Sequence, residues 1–195
     1  MKWWATKRPA RGESTCGDDY AIVQGGTTLV ALADGLGHGS AALAAAKGFC
    51  GAVEQHASEP LDVLMKRGAA AVQGTRGAAA ALMRIDEQSG VGSYVGVGNI
   101  DVRTTSRHIS VTSRSGIVGP RLPNLLEHHF RVSLGDVIVL FSDGVSGRLK
   151  LSDFSDAPPS EWPALVLERY GKHEDDATCI VLHCDGRHFT SSYTV

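Results

Sequence analysis

At 195 residues the chain is sized for one domain, residues 1–195, large enough to bury roughly 70% of its unfolded surface. A formal net charge of -2 with 21% charged residues gives no general attraction to nucleic acid or to an anionic membrane, and no run approaches the ~20 apolar residues of a membrane span. The N-terminus, MKWWATKRPARGES, lacks the apolar core of a signal peptide, so the expected location is cytoplasmic, with Cys16, Cys50, Cys179 and Cys184 reduced and mostly buried.

Trp3 and Trp4 open a first strand, and Lys7 to Glu13 reads as a loop because Pro9 and Gly12 interrupt any period. Tyr20 to Gln24 pairs with Thr28 to Ala33 through a turn at Gly25 and Gly26. The second of these strands ends on Asp34 and Gly35. Glycines at 35, 37 and 39 allow a tight loop and a close approach of bare backbone to a ligand. Ser40 offers an N-cap oxygen to a helix running to about His56, and Pro60 opens a second helix to about Val72.

From Ala78 to Ser142 the texture changes to short runs, among them ALMRI, VGSYVGV, IDVRTT, HISVTSR, LLEHHFRV and VIVLFS, the pattern of a mainly antiparallel meander. VIVLFS ends on Asp143 and Gly144, repeating the first arrangement. Pro158 to Tyr170 reads as a third helix, and Ala177 to His183 as a last strand before a polar tail. Roughly ten strands with helices in two blocks give an α+β fold, two sheets flanked by helices.

Four acidic strand ends stand out: Asp18 and Asp19, Asp34, Asp143, and Asp175 and Asp176. Carboxylates gathered from separate strands suit hard divalent cations, whereas zinc sites bring closely spaced Cys or His, and no such Cys/His cluster exists here. The competing reading of a single Asp-Gly strand end is a loop cap; a second such end and the DDAT element argue against it. GHGSAA, Gly37 to Ala42, also meets a loose dinucleotide pattern, but no βαβ crossover follows it. His128 and His129 point to opposite faces of a strand and cannot share a ligand. Trp162 reads as a helix-core anchor and Cys16 as an inert thiol.

GDDY, ADGLGHGSAA, FSDGVS and DDAT, in this order and with TRGAAAALMRID and YVGVGNIDVR between them, resemble the metal-dependent serine/threonine protein phosphatases of the PPM (type 2C) superfamily. Within it the chain is most similar to the small SpoIIE-like and RsbX-like bacterial branch, over about Gly17 to Leu182. The resemblance implies a four-layer α-β-β-α sandwich of two mainly antiparallel sheets. It implies two divalent ions, Mn²⁺ or Mg²⁺, with Asp34 bridging them, the Gly35 carbonyl and Asp18 completing one shell, and Asp143 with Asp175 holding the other. Asp176 stands where relatives often carry asparagine, which leaves the choice between 175 and 176 open.

His38 is the candidate acid for the departing oxygen, although it is displaced from the position directly after Asp-Gly where the family carries a histidine. Arg11 and Arg76 are the candidates for gripping phosphate. By the same resemblance the partners are phosphorylated STAS-domain proteins of a stress-signalling complex, the stressosome, dephosphorylated at serine or threonine. The competing function is a catalytically silent binding module for the same partners; an NAD-binding oxidoreductase is the third.

Overall fold

The computed structural model describes residues 1–186; the polar tail beyond them lies outside the described residues. Nine strands and three α-helices form four layers. One sheet holds five strands in the order β2 (Asp18–Gln24), β3 (Thr27–Gly35), β4 (Ala78–Asp86), β5 (Val91–Val97) and β7 (Glu127–Arg131). The other holds β1 (Lys2–Arg8), β9 (Ala177–His183), β8 (Val137–Phe141) and β6 (Asp101–Thr104). All the strand pairs are antiparallel.

Strand periodicity assigns the layers. On β3, Val30 and Leu32 face the second sheet and join Met83, Tyr94, Ile138, Leu140, Ile180 and Leu182 in the inter-sheet core. Leu29, Ala31 and Ala33, on the opposite face, pack under α1 (Gly39–Gln55) and α2 (Leu61–Ala71) with Phe49, Leu64 and Met65. The second sheet turns Val139, Phe141, Cys179 and Val181 outward against α3 (Trp162–Tyr170), whose Trp162, Val166 and Leu167 cover them. Continuous apolar runs such as VIVLF are therefore strands buried on both faces. Small residues set the helix spacing. A Cβ on Gly68 would fall 2.2 Å from the Phe49 ring, so the contact requires glycine.

Four local expectations are revised. Ser40 is not the cap: Gly39 already begins α1 at φ +73°, and extended His38 precedes it without a side-chain capping bond. Lys7 and Arg8 belong to β1 because their backbone pairs with Thr178 and Ala177 of β9. The HISVTSR segment forms no ladder; Arg114 alone bridges Val97. Helix α3 begins at Trp162 rather than Pro158, the two prolines leading in through a turn whose carbonyls accept from Glu161 and Trp162.

Candidate metal centre

The register of β2 and β3 sets Asp18 directly opposite Asp34, a spacing of about 4.5–5.5 Å between Cβ atoms. Both follow the parity of Tyr20, Ile22, Val30 and Leu32, so both carboxylates point between the sheets. Asp19 points the other way and is held there by Lys7, whose Nζ donates to its Oδ1 at 2.8 Å and to the Asp18 carbonyl at 3.1 Å. Of the two adjacent aspartates, Asp18 is the one that faces Asp34.

The second sheet delivers the rest. Asp143 follows β8, and its carboxylate stands close enough to that of Asp34 to oppose its ionisation. Ser142, one residue earlier, donates from Oγ to Asp18 Oδ2 at 2.7 Å and accepts from the Thr178 amide at 2.9 Å. This buried serine ties the acidic end of β2 to β8 and β9. Asp175 and Asp176 precede β9 and play different parts. Asp175 is partly exposed and electrostatically coupled to Asp143 and Asp34. Asp176 is 3% exposed, and its Oδ1 accepts from the Ala10 amide at 2.9 Å.

The glycine after each strand-end aspartate has one physical reason in common. A Cβ on Gly35 would stand 1.9 Å from the Ala42 carbonyl oxygen, and one on Gly144 1.9 Å from the Asp176 carbonyl oxygen. Each Asp-Gly is therefore a place where two backbones touch, and any side chain would force them apart. Here the bare backbone serves chain against chain.

Burial and mutual repulsion dominate the electrostatics. Removal from water, then the charges of Asp18, Asp143 and Asp175, push the Asp34 carboxyl up to about 9. Asp18, fully buried, is pushed up to about 6 by desolvation and by Asp176 and Asp143, against the opposing bond from Ser142. Asp175 is raised as well, by burial and then by Asp143. Asp18 Oδ1 and Asp176 Oδ2 are buried without a hydrogen-bond partner. Crowded carboxylates with orphaned oxygens fit hard divalent cations, which take oxygen ligands and would relieve the mutual repulsion. Among the described residues no group of three His, Cys, Asp or Glu side chains is arranged as it stands to hold a metal ion; Asp18 is engaged with Ser142 and Asp143 with Asn99.

Asn99 is a residue that sequence reasoning passed over. Its Nδ2 donates to Asp143 Oδ2 at 2.6 Å, orienting that carboxylate from the loop between β5 and β6. The signal was a lone polar residue after Gly98 in YVGVGNIDVR, visible only once the strands are paired. Lys172, also unremarked, donates from Nζ to the Asp143 carbonyl at 2.5 Å. His38 is exposed, with Nδ1 2.7 Å from Glu13 Oε1. Of the two phosphate candidates, Arg76 lies over the loop after Asp34, since a Cβ on Gly37 would come within 2.6 Å of its Nη1. Arg11 is exposed, anchored through its backbone amide to the His173 carbonyl.

A family model described as Stage II sporulation protein E (SpoIIE) matches residues 24–185. Phosphoserine phosphatase RsbX of Bacillus subtilis (strain 168) is 34% identical over 90 residues, a match that spans 46% of this chain and 45% of RsbX. A structure from work on the bacterial stressosome, a modular system adapted to control secondary messenger signalling, superposes with a TM-score of 0.86 at 31% identity, covering 92% of this chain and 97% of its own. RsbX in complex with magnesium gives a TM-score of 0.80 at 24% identity, over 91% and 92% of the two chains; this likeness speaks to the fold alone.

Proposed function

The chain belongs to the SpoIIE family, on the RsbX-like branch of the PPM superfamily, and from that premise we propose that it is a metal-dependent phosphoprotein phosphatase. The observation that carries the reading is the convergence of Asp18, Asp34, Asp143 and Asp175 from strand ends of both sheets. The residues that would hold divalent ions, Mn²⁺ or Mg²⁺, are Asp34, Asp18 with the Gly35 carbonyl, and Asp143 with Asp175. Asp175 is preferred to Asp176 because its charge acts on Asp34 and it faces Asp143, whereas Asp176 is fixed through Oδ1 by the Ala10 amide, with Oδ2 left over. When bound, such ions activate water near neutral pH and neutralise phosphoryl oxygens.

The protein's own side chains arrange this chemistry. Ser142 fixes the rotamer of Asp18, Asn99 that of Asp143, and Lys7 keeps Asp19 out of the cluster. Arg76, over the loop following Asp34, is placed to meet an anionic group arriving there. His38 enters as the acid for the departing seryl or threonyl oxygen, its exposed ring held through Nδ1 by Glu13. The proposed substrates are phosphoserine or phosphothreonine on STAS-domain proteins of a stress-signalling complex, supported by the 31%-identical structure from stressosome work and by the phosphoserine activity in the name of the curated relative. The proposed setting is cytoplasmic; no helix among the described residues is long and apolar enough to cross a membrane.

Manganese-dependent release of phosphate from an aryl phosphate, abolished in folded Asp34→Asn and Asp143→Asn proteins, is the expected result. Metal binding without turnover in the unaltered protein would instead favour a silent module that occupies the same partners.

A further inference from the structure

A cleft of about 320 Å³ opens beside the acidic cluster, lined by Leu36, Ala79, Gly98, Asn99, Ser115, Gly116 and Ile117. Its near wall is continuous with that cluster. Ala79 is the register partner of Asp34, Leu36 follows Gly35, and Asn99 is bonded to Asp143. The far wall is the segment around Gly116 and Ile117, which leaves the regular sheet yet is fixed at both ends. The Arg114 amide donates to the Gly96 carbonyl, the Gly98 amide to the Arg114 carbonyl, and Val118 and Ala78 exchange two backbone bonds at 2.8 and 3.0 Å. The cleft is thus preformed.

Its chemistry is uncharged. Leu36, Ala79 and Ile117 are apolar, Asn99 is occupied with Asp143, and no lining residue carries a charge. Ile117 remains 48% exposed, an apolar side chain standing at the rim. Resting on the phosphatase reading above, we propose that this cleft seats the side chain one or two residues from the phosphorylated residue of a protein substrate, and that it selects an apolar one.

Length supports this occupant. Asp34 and Ala79 are facing residues on neighbouring strands, about 5 Å apart, while an extended peptide advances about 3.3 Å per residue. A phosphoryl group held at the carboxylates therefore brings its first or second neighbour over Ala79 and Leu36. The volume lies at the small end of binding cavities, room for one or two side chains. A lysine or glutamate there would lose hydration against Leu36 and Ile117 and meet no opposite charge, Ser115 being the one hydroxyl in the lining.

The test measures two quantities. Fluorescence anisotropy reads the binding, with Mn²⁺ present, of a labelled peptide whose phosphoserine is replaced by a non-hydrolysable phosphonate flanked by isoleucine. Hydrolysis of 4-nitrophenyl phosphate, too small to reach Ile117, is followed in parallel. Ile117→Asp should weaken peptide binding at least tenfold, Ile117→Leu should restore it, and replacing the flanking isoleucines by lysine should weaken binding to the unaltered protein similarly. Equal peptide affinity for the unaltered protein and Ile117→Asp would overturn the docking proposal, as would indifference to the flanking residue. Failure of the phosphatase reading shows separately, as absence of 4-nitrophenyl phosphate turnover.

Discussion

Replacing Asp34 by asparagine should stabilise the metal-free protein and remove its response to manganese. In the folded chain burial and three neighbouring aspartates push the Asp34 carboxyl up to about 9, against an ordinary 3.8. At pH 7 the folded state must keep this group protonated while the unfolded chain releases the proton. From 3.8 to pH 7, at about 1.4 kcal/mol per pH unit, the cost is at most about 4 kcal/mol. Asparagine is a neutral near-isostere and carries no such penalty, so a gain of about 2–4 kcal/mol is expected with EDTA present. For a domain of this size each kcal/mol is about 2–4 °C in Tm. The unaltered protein should recover about 2.7 kcal/mol at a Mn²⁺ concentration a hundredfold above Kd, and the variant little of it. Urea and thermal melts with EDTA and with Mn²⁺ measure both effects. If Asp34→Asn lowers stability by the same amount in the two conditions, the carboxylate is a structural cap and the reasoning fails.

The remaining predictions follow from the same contacts. Because the folded-state values of Asp34, Asp18 and Asp175 are all raised, the metal-free folded protein binds more protons than the unfolded chain, and its urea midpoint should fall as pH rises from about 5 to 9. Saturating Mn²⁺ should flatten or reverse that slope. Asn99→Ala removes the bond that orients Asp143, and calorimetric titration should show Mn²⁺ affinity reduced about tenfold or more. Gly144→Ala places a methyl group where the Asp176 carbonyl stands, and denaturant melts should register a loss of about 3 kcal/mol or more. His38→Ala should slow hydrolysis of a phosphoserine peptide by about a hundredfold, yet hydrolysis of 4-nitrophenyl phosphate far less, because nitrophenolate departs without an acid; equal losses on both substrates would remove His38 from that role.

Much of this architecture is written in local pattern. VIVLF, apolar at every position, could only be a strand covered on both faces, and it is. The two Asp-Gly strand ends were visible because each interrupts such a run, and the fold gives them a common cause in backbone crossing at Gly35 and Gly144. Asp19 could be separated from Asp18 only when the β2–β3 register fixed which face each occupies and Lys7 appeared as the partner of the first. Ser142 and Asn99 act on residues 124 and 44 positions away, so nothing near them in the chain betrays their roles. HISVTSR alternates like a strand but makes only the one bridge from Arg114 to Val97 of β5, whose edge β7 already occupies along Val91–Val95. Ser40 lies inside the first turn of α1 rather than capping it, because the chain enters through extended His38 and a left-handed Gly39, a conformation that serine resists.

Anomalous diffraction from crystals soaked in manganese tests the central claim most directly. The account predicts manganese peaks between the two sheets, within coordination distance of Asp34 and shared with Asp18, Asp143 and Asp175, and their loss in Asp34→Asn crystals. Manganese found only elsewhere on the molecule, or none at this cluster at saturating concentration, would contradict it.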